Sequence, residues 1–251
     1  MDATNKFTGK AALYAQHRPS YPEACFTYLI EANALTTEST AADIGAGTGI
    51  FTRALLDRGL RVIAVEPNVD MRETAEVALS GYTGYASLSG TAEQTGIADG
   101  SIDLVTVAQA FHWFDVKAFK QECRRILKPG GRVALIWNSR VHASEVVAEN
   151  AAICREFCPA FNGFSGGMEE RPERICEFFK DGVYEHQVFE NPLQFDLDGF
   201  IGRNLSASYA LKEDDAAYYD FIDALKALFA KYSSDGRLAM PNETRVYLGE
   251  V

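Results

Sequence analysis

The sequence predicts an α/β fold: a doubly wound, mostly parallel sheet covered by helices on both faces. Three observations lead there. Between residues 40 and 138, short apolar runs alternate with helical patterns, and that alternation most often gives a parallel sheet. The runs Arg61-Val62-Ile63-Ala64-Val65, Ile102-Asp103-Leu104-Val105-Thr106-Val107-Ala108 and Arg132-Val133-Ala134-Leu135-Ile136-Trp137 are apolar nearly throughout, as strands buried on both faces are. Finally, Ala41-Ala42-Asp43-Ile44-Gly45-Ala46-Gly47-Thr48-Gly49 turns a strand into a helix through three alternate glycines. With no Cβ, these let the backbone turn sharply and approach a ligand, while the following helix aims unpaired N–H groups into the turn.

Taken in order, residues 2–20 are polar, with a short helical turn at Ala11-Ala12-Leu13-Tyr14. Pro19 and Pro22 then favour an extended or kinked path. Residues 23–34 read as a helix with Phe26, Leu29 and Ile30 on one face. A strand over 40–44 and the glycine turn lead to a helix over 50–58, stopped at Gly59. After the strand 61–66, Asn68 caps a helix over 69–79. A weaker strand follows at 82–88, then a loop at 90–94, a strand at 102–108 and a loop at 109–114. A helix over 116–127 ends at Lys128-Pro129-Gly130-Gly131 before the strand 132–137. The second half is less regular: helix 143–157, a glycine-containing loop or lid at 159–171, helix 172–180, strand 184–195, helices 199–208 and 213–232, and a closing strand at 244–248. With no repeat and no linker, the expectation is one domain over 1–251. Its core is about 38–140, with an N-terminal cap over 1–37 and C-terminal strands and helical cover over 141–251.

Of the 251 residues, 47% are hydrophobic and 24% charged, which is ordinary globular composition. No apolar run reaches the roughly 20 residues of a membrane helix, and the N-terminus lacks a cationic-then-apolar signal pattern, so the expected compartment is the cytoplasm. A net charge of -11 argues against a nucleic-acid partner, whose phosphates need Lys and Arg. Five cysteines with no CxxC pair, Cys154 and Cys158 sharing a helix face, read as reduced packed thiols, and no metal site is expected.

Ligands of such sheets bind beyond the strand C-termini, near the switch point. The glycine turn, Glu66, Ala92-Glu93 and residues 109–113 are all expected at that rim. Glu66 lies 21 positions after Gly45, and its two oxygens suit the vicinal hydroxyls of one ribose. The turn is GxGxG rather than the dinucleotide GxGxxG, with its third glycine one position early.

At these residues the chain resembles the class I S-adenosylmethionine-dependent methyltransferases, most closely the type 11 small-molecule branch. The segment Asp43-Ile44-Gly45-Ala46-Gly47-Thr48-Gly49 resembles their first motif, and Glu66-Pro67-Asn68 with Met71 their second-strand motif. Gly90-Thr91-Ala92-Glu93, residues 97–103 and Leu127-Lys128-Pro129-Gly130-Gly131 resemble the later ones. The loop Gln109-Ala110-Phe111-His112-Trp113-Phe114, with Tyr14 and Arg18-Pro19-Ser20-Tyr21-Pro22, is similar to the trans-aconitate-methyltransferase-like subgroup. The likeness covers about residues 7–139.

The resemblance implies a Rossmann-like seven-stranded sheet whose last strand, 244–248, is antiparallel. It implies S-adenosyl-L-methionine as cofactor. The backbone of Gly45, Ala46, Gly47, Thr48 and Gly49 would approach its methionine part, Asp43 would order the turn and reach the ammonium, and Glu66 would hold the ribose. Pro67 and Met71 would flank the adenine, Ala92 and Glu93 would meet its edge, Gln109 and Ala110 would floor the sulfonium site, and Tyr14 and Arg18 would close on the carboxylate. The reaction implied is direct in-line displacement onto a small-molecule acceptor, in a monomer or homodimer. His112 is the candidate base, and Trp113, Phe114, Trp137, Ser206, Ser208 and Tyr209 the candidate acceptor contacts. Arg203 reads first as a surface salt-bridge residue, with pairing to an acceptor carboxylate as the alternative. The competing readings are a nicotinamide-dependent oxidoreductase and a non-catalytic S-adenosylmethionine-binding regulator.

Overall fold

The structure is a computed structural model and describes residues 18–164 and 172–251. Tyr14 and the helical turn before it lie outside the described residues, as does the end of the 159–171 loop. The elements are α1 (Glu23–Ala32), β1 (Thr40–Ile44), α2 (Ile50–Leu56), β2 (Arg61–Val65), α3 (Val69–Leu79), β3 (Tyr85–Leu88), β4 (Ile102–Ala108), α4 (Val116–Ile126) and β5 (Leu127–Arg140). They continue with α5 (Glu145–Phe157), α6 (Pro172–Phe178), β6 (Glu185–Glu190), β7 (Leu193–Phe195), α7 (Leu197–Leu205), α8 (Tyr218–Tyr232), β8 (Leu238–Met240) and β9 (Asn242–Gly249).

Seven strands form one sheet in the order β3-β2-β1-β4-β5-β9-β6. All neighbours from β3 to β5 are parallel. The strand nearest the C-terminus, β9, runs antiparallel to both β5 and β6. The expected fold class therefore holds, inserted antiparallel strand included. Chain order reverses between β1 and β4, so a crevice opens beyond their C-terminal ends.

Alternation along the strands supplies both faces with core. Val62, Leu104, Ala134 and Ile136 pack with Phe26, Leu29, Phe51, Leu55 and Leu79 from α1, α2 and α3. Ile63, Val105, Val133 and Leu135 face the other way, with Phe119, Cys123 and Ile126 of α4 and Phe178 at the end of α6. A third cluster, built on Phe200, Phe221, Leu225 and Cys154, joins α5, α7 and α8 to the two-stranded ladder of β7 and β8. Cys25, Cys123, Cys154 and Cys158 are buried free thiols, and Cys176 is an exposed one. Among the described residues no helix is long and apolar enough to cross a membrane.

Local chemistry explains where the boundaries move. The single strand expected over 184–195 is two strands in different sheets, because Asn191-Pro192 interrupts it and proline has no N–H for a ladder. The helix expected from 213 starts at Tyr218. Before it, Asp215 takes the Lys212 N–H on its own carboxylate, a turn that competes with helix. The α7 helix starts two residues early, where Asp196 accepts from Gly199 N at 2.8 Å. The Lys128-Pro129-Gly130-Gly131 segment belongs to β5 as an irregular entry: Ile102 pairs with Leu127 but Leu104 with Arg132. Asp103, in the resembling fourth motif, sits at the sheet end away from the crevice. It accepts from Thr40 N and Lys128 Nζ, both at 2.8 Å, which fixes β1, β4 and β5 in register.

Candidate functional site

The site begins with the turn after β1. Gly45 N and Ala46 N both donate to Val65 O, tying the turn to the end of β2. Gly45, Gly47 and Gly49 have φ of 71°, 58° and 80°, which side chains rarely adopt. The glycines differ in what surrounds them. A Cβ on Gly45 would fall 2.6 Å from the Ala110 Cβ, whereas one on Gly47 would enter open space.

Glu66, one residue past β2, accepts from Gly47 N at 2.9 Å through Oε2 and from Asn68 N at 2.8 Å through Oε1. Each oxygen keeps lone pairs for a further donor. Burial raises the Glu66 pKa, and the two backbone N–H groups and Arg72 work against that rise. Asn68 caps α3 by accepting from Met71 N, as the sequence led one to expect.

Asp43 is 1% exposed beneath the turn. It accepts from Thr52 Oγ1 at 2.6 Å and Thr106 Oγ1 at 3.1 Å. Burial pushes its pKa up to about 6 despite these bonds. Neither threonine was singled out from the sequence. Thr106 was legible as the one hydroxyl in an otherwise apolar stretch, and the parallel register sets it beside Asp43.

The loop from Gly90 to Ile97 is held by α4. Thr95 donates to Glu122 Oε1 through both N and Oγ1, and Ile97 N donates to Thr95 Oγ1. The Arg125 guanidinium and these donors keep the Glu122 carboxyl down at about 2. Ala92 is buried, and Glu93 accepts from Asp115 N at 3.0 Å. Beyond β4, Gln109 has φ 65°, a left-handed conformation costing a non-glycine residue about 1 kcal/mol or more. Its Nε2 donates to Asn138 O at 3.1 Å.

The glycine turn, Asp43 and Gln109 border a cleft of about 480 Å³, open solvent at its mouth included, whereas Glu66, Ala92 and Glu93 are not among its lining residues. Asp43, Gly45, Ala46, Gly47, Thr48 and Gln109 line it from the sheet edge, and Arg18, Pro19 and Tyr21 from the N-terminal segment. Ile50, Phe51, Ala108 and Asn138, none singled out from the sequence as site residues, line it too, as does Arg203. Asn138 is a hub. Its Oδ1 accepts from Thr244 Oγ1 and Asn191 Nδ2, and its Nδ2 donates to Ser20 O. Arg203 corrects the surface reading, for it is 8% exposed on α7. Arg18 Nη2 reaches Ser206 O at 3.1 Å, so the N-terminal segment is tied to the end of α7. Thr48 Oγ1 is buried in the lining and has no hydrogen-bond partner.

The remaining candidates sit further out. Met71 is buried in the first turn of α3, with Pro67 partly exposed. Ala110 is 8% exposed against Gly45. His112 and Trp113 share the short 3₁₀ turn Phe111–Trp113, their rings 4.5 Å apart, and neither is among the residues lining the cleft. Phe114 packs edge-on against Phe119 and approaches Gly45. Trp137 is 3% exposed in the core, edge-on to Phe111 and Tyr247. Ser206 is buried and bonds Arg203 O. Ser208 is partly buried, and Tyr209 stands edge-on to Phe161.

Residues 42–135 match the family described as a methyltransferase domain. An uncharacterized methyltransferase of Mycobacterium tuberculosis is 40% identical over 139 residues, 55% of this chain and 54% of the relative. One from Schizosaccharomyces pombe is 34% identical over 135 residues, 53% of each. The chain thus spans about half the length of these curated relatives. A candidate type II methyltransferase from Anaeromyxobacter dehalogenans superposes with a TM-score of 0.67 at 23% identity, covering 93% of this chain and 97% of that one. A phosphoethanolamine N-methyltransferase of Haemonchus contortus, solved with S-adenosylhomocysteine, has a TM-score of 0.57 at 18% identity over 99% of this chain and 58% of its own. The chain has the fold of these methyltransferases, and the segment matching the methyltransferase domain is the one whose strand ends carry the cleft.

Proposed function

We propose that the chain transfers a methyl group from S-adenosyl-L-methionine to a small-molecule acceptor. One observation carries this reading: Gly47 N lies 2.9 Å from Glu66 Oε2, so the diol acceptor and the backbone cradle form a single site. The residues fit the cofactor. Gly47 leaves open space where a side chain would intrude, Glu66 keeps acceptor capacity on both oxygens, and Thr48 offers a buried hydroxyl with no protein partner.

Bound, the cofactor supplies a sulfonium-activated methyl group. The chain's part is to hold and exclude. Glu66 takes the ribose hydroxyls. The Gly45-Ala46-Gly47-Thr48-Gly49 backbone accepts the methionine part at close range. Asp43 offers its carboxylate to the ammonium, and Arg18 a guanidinium to the carboxylate. Met71, Pro67, Ala92 and Glu93 bound the adenine, and Gln109 and Ala110 the reacting end. Tyr21 and Phe51, rings 4.9 Å apart, keep water from the inner wall. Alignment of acceptor and methyl group is the catalytic contribution, and a base is needed only for a protonated acceptor. His112, with Trp113 and Phe114, is proposed for the acceptor side.

Titration calorimetry with S-adenosylhomocysteine and with NAD separates this reading from an oxidoreductase. Binding of the first and not the second is expected, and the reverse overturns the proposal. A labelled methyl-transfer screen over carboxylic acids, phenols, amines and thiols, run on wild type and His112→Ala, then separates an enzyme from a cofactor-binding regulator. Turnover is expected from the wild type, and its loss in the variant at saturating acceptor marks His112 as the base.

Two glycine variants separate packing from ligand contact. Gly45→Ala is expected to cost about 2–4 kcal/mol of stability, from positive φ and overlap with Ala110. Gly47→Ala is expected to cost about 1 kcal/mol, from φ alone. It should nevertheless abolish S-adenosylhomocysteine binding, because the added methyl projects into the cleft. Urea unfolding and calorimetry on the same preparations check both expectations.

A further inference from the structure

Residues 18–22 form one wall of the glycine-turn cleft, with Arg18, Pro19 and Tyr21 among the lining residues. Two of these five residues are proline, so the backbone is stiff and moves as one piece. The segment is fastened at two points. Arg18 Nη2 donates to Ser206 O at 3.1 Å, just past α7. Ser20 O accepts twice, from Asn138 Nδ2 at 3.2 Å and from Asn191 Nδ2 at 3.1 Å. The two asparagines are joined as well: Asn191 Nδ2 donates to Asn138 Oδ1 at 3.1 Å, and Thr244 Oγ1 donates to the same oxygen. Asn191 stands at the corner between β6 and β7, its own N–H held by Asn242 O at 3.0 Å, and it does not line the cleft. Inside its mouth the cleft narrows to about 40 Å³, room for about three waters. That is too little for a nucleoside carrying an amino-acid chain. The other walls are the ends of β1, β4 and β5, the glycine turn, α2 and α7, all built into the sheet or the packed helices. The segment 18–22 is the wall free to lift.

We infer that residues 18–22 are the gate through which the cofactor enters and leaves, and that Asn191 is its latch, a positioning residue acting through Ser20 O and Asn138. Only the identity of the ligand rests on the methyl-transfer reading. A neutral hydrogen bond makes a modest net contribution, so a latch of this kind holds the segment shut and still releases it thermally. Asn191 acts at a distance, because it touches the segment and the Asn138 side chain but no part of the cleft surface. A latch closed alike over the empty and the filled cleft slows entry and exit by the same factor and leaves affinity unmoved. A residue that merely shapes the site changes mainly the rate of exit.

The test is surface plasmon resonance on the immobilised full chain with S-adenosylhomocysteine. Asn191→Ala removes the latch. Asn191→Asp keeps its shape but sets a carboxylate against Ser20 O and Asn138 Oδ1. Asn191→Ala is expected to raise the association and dissociation rate constants together, each by about three- to ten-fold, with Kd unchanged within about two-fold. Asn191→Asp is expected to do so at least as strongly. Faster dissociation with unchanged association, or unaltered rates in both folded variants, overturns the latch. Failure of the wild type to bind S-adenosylhomocysteine overturns the methyl-transfer reading instead, and the gate is then decided on the free protein. A nitroxide attached through Ser20→Cys, in a Cys176→Ser background that removes the exposed thiol, reports motion of the segment. The latch uses the Ser20 carbonyl, so this labelling leaves it in place. Asn191→Ala is expected to raise the fast-tumbling share of the spectrum by about two-fold or more, and an unchanged spectrum overturns the gate.

Discussion

Replacing Glu66 by glutamine is expected to weaken S-adenosylhomocysteine binding by about 100-fold or more. Two contacts are lost at once. The carboxylate accepts from Gly47 N and Asn68 N, one on each oxygen. A carboxamide turns one of those oxygens into an N–H donor, which then faces a backbone donor and deforms the turn. The same change removes a charged acceptor from the ribose hydroxyls, where each charge-assisted bond contributes about 1.5–3 kcal/mol. A ligand pair isolates the second effect. Methylthioadenosine and its 2′-deoxy analogue differ only in the diol. Wild type is expected to prefer the diol by about ten-fold or more, and Glu66→Gln to show little preference. An undiminished preference in the variant would move the ribose away from Glu66.

The sequence made this site legible because its chemistry lies in local patterns. A glycine turn after an apolar run, an acidic residue ending the next run, and a cap at Asn68 all follow from nearest-neighbour constraints, and parallel topology then gathers the strand ends at one rim. The groups that were not legible depend on long-range packing. Thr52 reaches Asp43 from a helix. Asn138 collects Thr244, Asn191 and Ser20 from three distant segments. Arg140 and Arg203 lie far apart in the sequence, and no local pattern marks either as buried. They converge because the third hydrophobic cluster brings α7 over the end of β5, which no local periodicity records. The strand expected over 184–195 divides for a local reason, because Pro192 has no N–H to give a ladder.

Asp43→Asn is expected to stabilise the free protein at neutral pH while weakening cofactor binding. Burial lifts the Asp43 pKa from 3.8 to about 6. Below pH 3.8 the carboxyl is protonated in both folded and unfolded chains, and its stabilising contribution is fully present. As pH rises from about 4 through about 6, the unfolded chain has given up this proton while the folded chain still holds it. Stability falls across that window and stays lower above it, by about 3 kcal/mol for a shift of this size. A carboxamide never ionises, so the penalty disappears. Its oxygen can accept from Thr52. Its N–H can be received by the Thr106 hydroxyl, which turns its own hydrogen toward Ala42 O at 3.4 Å. The expected gain at pH 7.5 is therefore about 1–3 kcal/mol in urea unfolding. The difference between variant and wild type should shrink toward zero by pH 4, which cancels every other titrating group. Cofactor affinity moves the opposite way, because a neutral side chain cannot offer a charge to an ammonium. Wild-type affinity for S-adenosylhomocysteine should rise between pH 5 and 7 as Asp43 ionises, and that rise should be absent in the variant. On the proposed reading, the buried carboxylate at the base of the glycine turn lowers stability and serves the cofactor ammonium. A variant that is less stable at pH 7.5 than at pH 4 relative to wild type, or that binds S-adenosylhomocysteine undiminished, contradicts that assignment.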